Sequence, residues 1–250
     1  MADEATVPTS ADPAAYRPGV AAIVPCKDEA DRIGATLAAV RDLPEVDIVV
    51  VVDDGSTDTT AEVARAGGAV VVVHPRNRGK AAALRSGVAR LRADEARDGH
   101  PARHLLFVDG DLQETAANLS VLVGPVAGGT ADMTIATLPP QQSAGGGHGF
   151  VVRLARDGIE RLTGFRAVQP LSGMRCLTAE AYAAAAPLAR GWGVEVGLTV
   201  DVLRAGLRVL EVPCELQHRV SGTDLRSQLH RAAQYRDVWL ALALRRRLRR

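Results

Sequence analysis

Runs of β-branched residues alternate with stretches of helical periodicity through the first half of the chain. That alternation confines it to βα units feeding a mostly parallel sheet flanked by helices. Residues 20–24 and 46–52 are near-continuous apolar runs, as strands covered on both faces must be. Between them Ile33, Leu37 and Val40 recur at helical spacing. Further along, 56–66 predicts a helix, 69–73 a strand, 79–92 a helix with Leu84, Val88 and Leu91 on one face, and 104–109 a strand. The charges of 93–103, with Gly99 and Pro101, predict a surface connection. Thr115 is placed to cap a helix reaching about residue 126, and 131–138 reads as a strand. From Pro139 to Gly149 runs a glycine-rich loop, costly to order and therefore either a lid or a backbone cradle. Beyond it the pattern predicts a helix over 150–162, a turn over 170–173, a helix over 195–205 closed by Gly206, a strand over 207–212, and a last helix from about 225 to the basic end.

With 250 residues, 47% of them hydrophobic, the chain can bury a substantial core. Its 30 basic and 29 acidic residues leave a net charge of +1, which supplies no field that would select nucleic acid. Cys26, Cys176 and Cys214 are far apart and lack metal-ligand or disulfide spacing. The first nineteen residues carry acids and prolines but no basic-then-apolar leader, and are expected to be a disordered tail. No apolar run reaches the roughly 18 residues of a membrane span, so the expected location is cytoplasmic.

Ligands of open parallel sheets bind beyond the carboxyl ends of the strands. There this chain is polar: Pro25-Cys26-Lys27-Asp28-Glu29 follows the first strand, Asp53-Asp54-Gly55-Ser56 the second, Asn77-Arg78-Gly79-Lys80 the third and Asp109-Gly110-Asp111 the fourth. Carboxylates gathered at one edge repel unless a cation or hydrogen-bond donors lie between them. Asp109 and Asp111 can turn toward one hard divalent ion, Mg²⁺ or Mn²⁺, or can simply form a turn. Asp53-Asp54-Gly55-Ser56 caps a helix and can also present carboxylates to a base or ribose. Lys80 is either a solvated lysine or, at a helix N-terminus, a partner for a diphosphate.

Taken in order, VAAIVPCKDEADRIGATL, VVVVDDGSTDTTAEVA, NRGKAAALRSG, FVDGDLQ and GWGVEVGLTVDVLRAGLRVLEVP resemble family 2 glycosyltransferases of the GT-A fold over about residues 20–245. Through GGGHGFVV, QPLSGMR and the His218-Arg219 step the chain looks most like the glucosyl-3-phosphoglycerate synthases. The resemblance implies a Rossmann-like, mostly parallel sheet with a C-terminal acceptor-side lobe. It divides the chain into a tail (1–19), a nucleotide-sugar half (20–138), an acceptor-side half (139–222) and a basic helix (223–250). The donor implied is a UDP- or GDP-linked sugar, with Pro25, Cys26, Lys27, Glu29, Asp53 and Asp54 around the nucleoside, and Lys80, Asp109 and Gly110 at the diphosphate. Asp109 and Asp111 match a DXD motif, and His218 matches a third metal ligand; alone, a His before Arg reads as a surface residue. Gly147, His148, Ser172, Gly173 and Glu195 would face the acceptor, with Glu195, Asp111 and Lys80 catalytic. Glu195 is otherwise a helix N-terminal acid favoured by the macrodipole.

The acceptor half departs from that resemblance. Where the phosphoglycerate enzymes place an arginine, a threonine and an asparagine, this chain has His148, Phe150 and Val220, so the acceptor is expected to be a small molecule or lipid-linked group less anionic than 3-phosphoglycerate. The tail from Tyr235, with Val238, Leu240, Leu242 and Leu244 beside five arginines of 245–250, is either a docking helix with a solvated basic end or a peripheral contact for an anionic membrane. A non-catalytic sugar-nucleotide-binding module would share every donor motif, and only turnover separates it from an enzyme; a homodimer is a further expectation. The first loop lacks the glycine-rich, arginine-bearing pattern of pyrophosphorylases and the GxGxxG of dinucleotide-binding dehydrogenases.

Overall fold

A computed structural model describes residues 18–139, 149–216 and 225–247. In chain order it holds β1 (Val20–Cys26), α1 (Ala30–Arg41), β2 (Val46–Asp53), α2 (Thr60–Ala66), β3 (Val70–Val73), α3 (Lys80–Asp98), β4 (His104–Phe107) and a 3-10 helix, Gln113–Leu119. Then follow α4 (Ser120–Ala127), β5 (Met133–Thr137), α5 (Phe150–Thr163), β6 (Arg175–Leu177), α6 (Ala179–Ala185), a 3-10 turn at Gly191–Gly193, α7 (Val194–Arg204), β7 (Val209–Pro213) and α8 (Leu225–Arg247). The strands form one sheet in the order β3-β2-β1-β4-β6-β5-β7. Only β6 runs antiparallel to its neighbours, and it sits between β4 and β5, so both halves of the chain share the sheet.

Alternate residues of β1 feed opposite layers, as strand geometry requires. Val20, Ala22 and Val24 pack with Ile33, Leu37 and Val40 of α1, while Ala21 and Ile23 pack with Leu84, Val88 and Leu91 of α3. β1 and β4, hydrogen-bonded in register from Val20–His104 to Ile23–Phe107, form the buried centre. Their carboxyl ends therefore open onto the same edge.

The mostly parallel sheet agrees with the sequence reading; several elements do not. The segment 93–98 is helix rather than connection. Its charges pair along the helix, Arg90 with Asp94 at 2.8 Å and Arg92 with Glu95 at 2.6 Å, and Glu95 also accepts from the Arg103 amide at 3.0 Å. α3 stops at Gly99, whose φ of 71° is the left-handed conformation glycine tolerates. Thr115 does not cap a helix: its hydroxyl donates to the Leu112 carbonyl inside a 3-10 segment, and α4 starts only at Ser120. β6 and α6 have no counterpart in the sequence reading.

A third cluster joins α5, α7 and α8: Val238 and Leu242 are buried among Val151, Ala155, Ile159, Val196 and Val200. The approach is close enough that a Cβ on Gly158 would sit 2.3 Å from Leu242 Cδ1. Arg245, 7% exposed, pairs with Asp201 of α7, its Nε donating to Oδ1 at 2.7 Å. The helix is thus docked by its inner face, and Trp239, Leu240 and Leu244 remain exposed. No helix among the described residues is long and apolar enough to cross a membrane. Leu242→Ala is expected to destabilise the protein by about 2–5 kcal/mol in urea unfolding, because the neighbours of a fully packed leucine cannot collapse into the space it leaves. A loss under about 0.5 kcal/mol, inside the range of an ordinary surface change, would mean that α8 does not contribute to the core.

Candidate functional site

Side-chain hydrogen bonds sew the first two polar segments together. Asp28, with φ at 55°, donates its amide to Ser56 Oγ at 2.9 Å and accepts the Thr57 amide at 2.8 Å. The Glu29 amide donates to Thr60 Oγ1 at 2.9 Å. Asp53 Oδ1 accepts the Ser56 amide at 2.8 Å, closing the turn after β2. Gly55, with φ at 76°, lies where a Cβ would come within 2.6 Å of the Arg76 carbonyl carbon, so the loop after β3 folds directly over it. Asp54 spans that junction: Oδ1 accepts the Arg78 amide at 2.9 Å and Oδ2 the Gly79 amide at 2.7 Å. The buried His74 ring meets Asp54 Oδ1 through Nδ1 at 2.6 Å and Ser86 Oγ through Nε2 at 2.9 Å.

The same loop delivers Lys80 as the first residue of α3. Its Nζ lies 2.5 Å from Asp109 Oδ1 and 3.8 Å from Glu195 Oε1. Gly173 makes room for the pair, since a Cβ there would stand 2.2 Å from Nζ. Gly110 packs on β1, where a Cβ would meet Cys26 Cβ at 2.9 Å, and its carbonyl accepts the Thr36 hydroxyl at 3.0 Å. Burial disfavours the Lys80 ammonium, yet Asp109 and Glu195 more than offset it and push the Lys80 pKa up. Burial raises the Glu195 carboxyl above its ordinary value, against the pull of Lys80 and Arg175.

Arg175 is fully buried beneath this cluster. It donates through Nε to the Ser172 carbonyl at 2.9 Å, and through its terminal nitrogens to Thr199 Oγ1 at 2.9 Å and the Pro170 carbonyl at 3.3 Å. Burial lowers its pKa to about 10, which still leaves it charged at neutral pH. Thr199 in turn donates to the Glu195 carbonyl at 3.0 Å, so the Ser172-Gly173 turn and the start of α7 are tied through one guanidinium. Ser172 Oγ is buried without a partner.

These groups border a cleft of about 430 Å³. Of the residues expected at the donor, Pro25, Cys26, Lys27, Asp54, Lys80 and Asp109 line it. Glu29 instead holds Arg32 at 2.9 Å on α1, and Asp53 is used inside its own turn; neither lines the cleft. Gly110, Asp111, Ser172, Gly173 and Glu195 do not line it, although Gly173 and Glu195 stand next to Lys80, whereas Gly147, His148 and His218 fall outside the described residues. Burial pushes the Cys26 thiol up to about 12, so it lines the cleft as a neutral group. Trp192, Gly191 and Ala83 also line it and had no place in the sequence reading of the site. The first two belong to a 3-10 turn between helices rather than to a strand end. His74 was missed too, although a polar residue directly after an apolar strand is the signal already applied to the other strands.

A mostly parallel sheet whose carboxyl edge gathers carboxylates and a lysine around one cleft defines an α/β domain of the kind that takes ligands beyond its strand ends. Residues 21–167 match the model of glycosyl transferase family 2, and the chain belongs to that family. It is 30% identical over 215 residues to the glycosyltransferase AglJ of Haloferax volcanii, covering 82% of this chain and 65% of that protein. To the glucosyl-3-phosphoglycerate synthase of Mycolicibacterium paratuberculosis it is 32% identical over 212 residues, covering 75% of this chain and 61% of that protein. The chain thus spans less than two thirds of the length of either relative. The crystal structure of the Mycobacterium tuberculosis glucosyl-3-phosphoglycerate synthase in complex with Mn²⁺, UDP and glucosyl-3-phosphoglycerate superposes with a TM-score of 0.71 at 27% identity, over 91% of this chain and 80% of that one. The fold is GT-A.

Glu195 yields a pH-dependent prediction. Its native carboxyl binds a proton more tightly than the unfolded chain does, where glutamate titrates at about 4.3. Ionised Glu195 therefore costs stability at neutral pH, and the cost vanishes below about pH 4, where both states are protonated. Glu195→Gln is expected to raise Tm at about pH 7.5, with the gain shrinking toward zero near pH 4. A lower Tm at about pH 7.5 would show that attraction to Lys80 outweighs burial.

Proposed function

We propose that the chain transfers a sugar from a UDP- or GDP-linked donor, with a Mg²⁺ or Mn²⁺ ion held by Asp109 and Asp111. The observation that carries this reading is Lys80, placed at the first turn of α3, inside the cleft and paired with the first carboxylate of the Asp109-Gly110-Asp111 turn. That position offers a diphosphate both an ammonium and helix-terminal amides. The presence of Mn²⁺ and UDP in the related M. tuberculosis structure supports the same assignment.

The residues fit a hard cation. Two carboxylates flank a glycine that packing on Cys26 and a bond from Thr36 hold against β1, which is a better-fixed oxygen donor set than a free loop gives. Among the described residues no cluster of three or more metal-binding side chains forms, and His218, the proposed third ligand, lies outside them. When bound, the ion neutralises charge on the departing diphosphate. Lys80 contributes in the same direction, Asp54 closes the nucleoside end, and Glu195, with its raised pKa, is suited to take the proton of an acceptor hydroxyl. A lipid phosphate acceptor, already ionised, would need no such base, and with it Glu195 would serve only to hold Lys80.

The acceptor is proposed to be less anionic than 3-phosphoglycerate, and lipid-linked. The arginines that could serve an anionic acceptor are engaged elsewhere: Arg153 lies 4.9 Å over the Phe150 ring, Arg156 donates to the carbonyls of Ala167 and Val168, and Arg175 is buried. Phe150 itself is 77% exposed at the start of α5, as an apolar acceptor surface would be. The outer face of α8 supports a cytoplasmic enzyme resting on an anionic membrane, since Trp239, Leu240 and Leu244 stand exposed beside Arg236 and Arg246.

Calorimetry with UDP and GDP, each with and without Mn²⁺, tests the donor site. Asp109→Ala and Asp111→Ala should abolish the metal-dependent part of binding, and unchanged affinity with metal present would overturn the metal assignment. Lys80→Ala should weaken the diphosphate about tenfold or more while leaving uridine or guanosine within about twofold, the difference expected for one charge-assisted hydrogen bond. Equal losses would move Lys80 away from the phosphates.

The acceptor is tested by offering 3-phosphoglycerate and, in anionic vesicles, polyprenyl phosphate to the purified protein with labelled nucleotide sugar and metal. Turnover on the lipid is expected to exceed that on 3-phosphoglycerate by about tenfold or more. Efficient formation of a glycosyl phosphoglycerate would establish the alternative, a glucosyl-3-phosphoglycerate synthase.

A further inference from the structure

His74 follows β3 directly and is 4% exposed, and both nitrogens of its ring are used. Asp54 is a carboxylate that also accepts two backbone amides, so the proton shared at 2.6 Å belongs to Nδ1. In the neutral ring Nε2 then accepts the Ser86 hydroxyl. A histidine that only filled space would not need both contacts. Here Ser86, on α3, fixes the ring plane and the ring fixes Asp54.

The consequence lies in what Asp54 holds. Its two oxygens take the amides of Arg78 and Gly79, the last residues before Lys80; Gly79, with a φ of 84°, shares its amide between Asp54 Oδ2 and Asn77 Oδ1 at 2.9 Å, while its carbonyl accepts the Ala82 and Ala83 amides of α3 at 2.9 and 3.1 Å. With His74 and Arg78 on Oδ1 and Gly79 on Oδ2, the carboxylate keeps one acceptor position, at Oδ2, while lining the cleft. If the Nδ1 donor were lost, the carboxylate could rotate and release the turn that aims Lys80.

We propose that His74 is a positioning residue of the donor site: through Nδ1 it locks Asp54 across the 77–79 turn, and so sets together the nucleoside wall and the Lys80 end of the cleft. His74 has this role only if the cleft takes a nucleoside diphosphate. Its backbone amide is independently bonded to the Asp53 carbonyl at 2.9 Å, so side-chain variants keep the loop in place.

Two variants separate the nitrogens. In His74→Asn the side-chain amide stands where Nδ1 stood and can still donate to Asp54, whereas in His74→Gln it stands where Nε2 stood and reaches only Ser86. Both lose one hydrogen bond and should lose similar Tm. With Mn²⁺, UDP and GDP are the probes. For whichever the wild type binds, His74→Asn is expected within about threefold of wild-type Kd and His74→Gln weaker by about tenfold or more. Equal weakening by the two variants, or none by either, overturns the proposal. A wild type that binds neither nucleotide overturns the donor reading and this role with it, and the wild-type arm identifies that case. Nitrogen-15 NMR of the wild-type protein decides the matter should both variants fail to fold: a proton on Nδ1 of His74 supports the role, and an Nε2-protonated ring overturns it.

Discussion

Lys80 Nζ stands 2.5 Å from Asp109 and 3.8 Å from Glu195, so one ammonium joins the start of α3, the turn after β4 and the start of α7. Three segments far apart in sequence converge there because the sheet order puts β1 and β4 at its centre and α7 over the same face as α3. Charges this close to the interior are tolerated only when each has a partner. Remove the ammonium and Asp109 and Glu195 would repel; remove Gly173 and the ammonium would lose its space. Arg175 performs the matching task one layer deeper, where it binds carbonyls instead of carboxylates and ties the Ser172-Gly173 turn to α7.

What was legible in the sequence follows from what each element has to bury. β1 and the second half of β2 are covered on both faces, which forces the apolar runs that mark them in the sequence. β6 is three residues long, begins with a charged Arg175 and borrows its pairing from β4 and β5, so no local pattern marks it. α6 is nearly all alanine and shows no face. The charges of 93–98 suggested a solvated connection because the segment has no apolar face of its own; it stays helical through pairs along the helix, Arg90 with Asp94 and Arg92 with Glu95, and through the Glu95 contact to the Arg103 amide across the turn.

The cleft was legible on one side for a related reason. Polar residues just after a parallel strand are exposed at the edge where ligands bind, and strand ends can be found from apolar runs alone. Lys27, Asp54 and Asp109 come to the cleft by that route, Pro25 and Cys26 come from the last residues of β1 itself, and Lys80 from the start of α3. Trp192 reaches it from a turn between helices, a position that depends on how α7 and α8 pack and that no local rule predicts. Glu29 and Asp53 show the limit of the rule: one follows β1 and the other ends β2, but the chain uses one to hold Arg32 and the other to close its own turn.

The packing of α8 connects the far end of the chain to the cleft. The Trp192 amide donates to Asp237 Oδ2 at 3.2 Å, and Gly191, with φ at 56°, lies where a Cβ would stand 1.9 Å from the same oxygen. Gly193 is held as closely, a Cβ there falling 2.7 Å from the Asp237 carbonyl oxygen. The turn carrying Trp192 is therefore pressed on α8 with no room for side chains, and the register of α8 is fixed from the other side by Leu242 over Gly158 and by Arg245 on Asp201. A shift of α8 along its axis would break all of these contacts together, so Trp192 is set at the cleft by a helix that lines none of it. The inner and outer faces of α8 are in this way decoupled. The inner face sets the turn that forms one wall of the cleft, while Trp239, Leu240 and Leu244 of the outer face are exposed and take no part in those contacts.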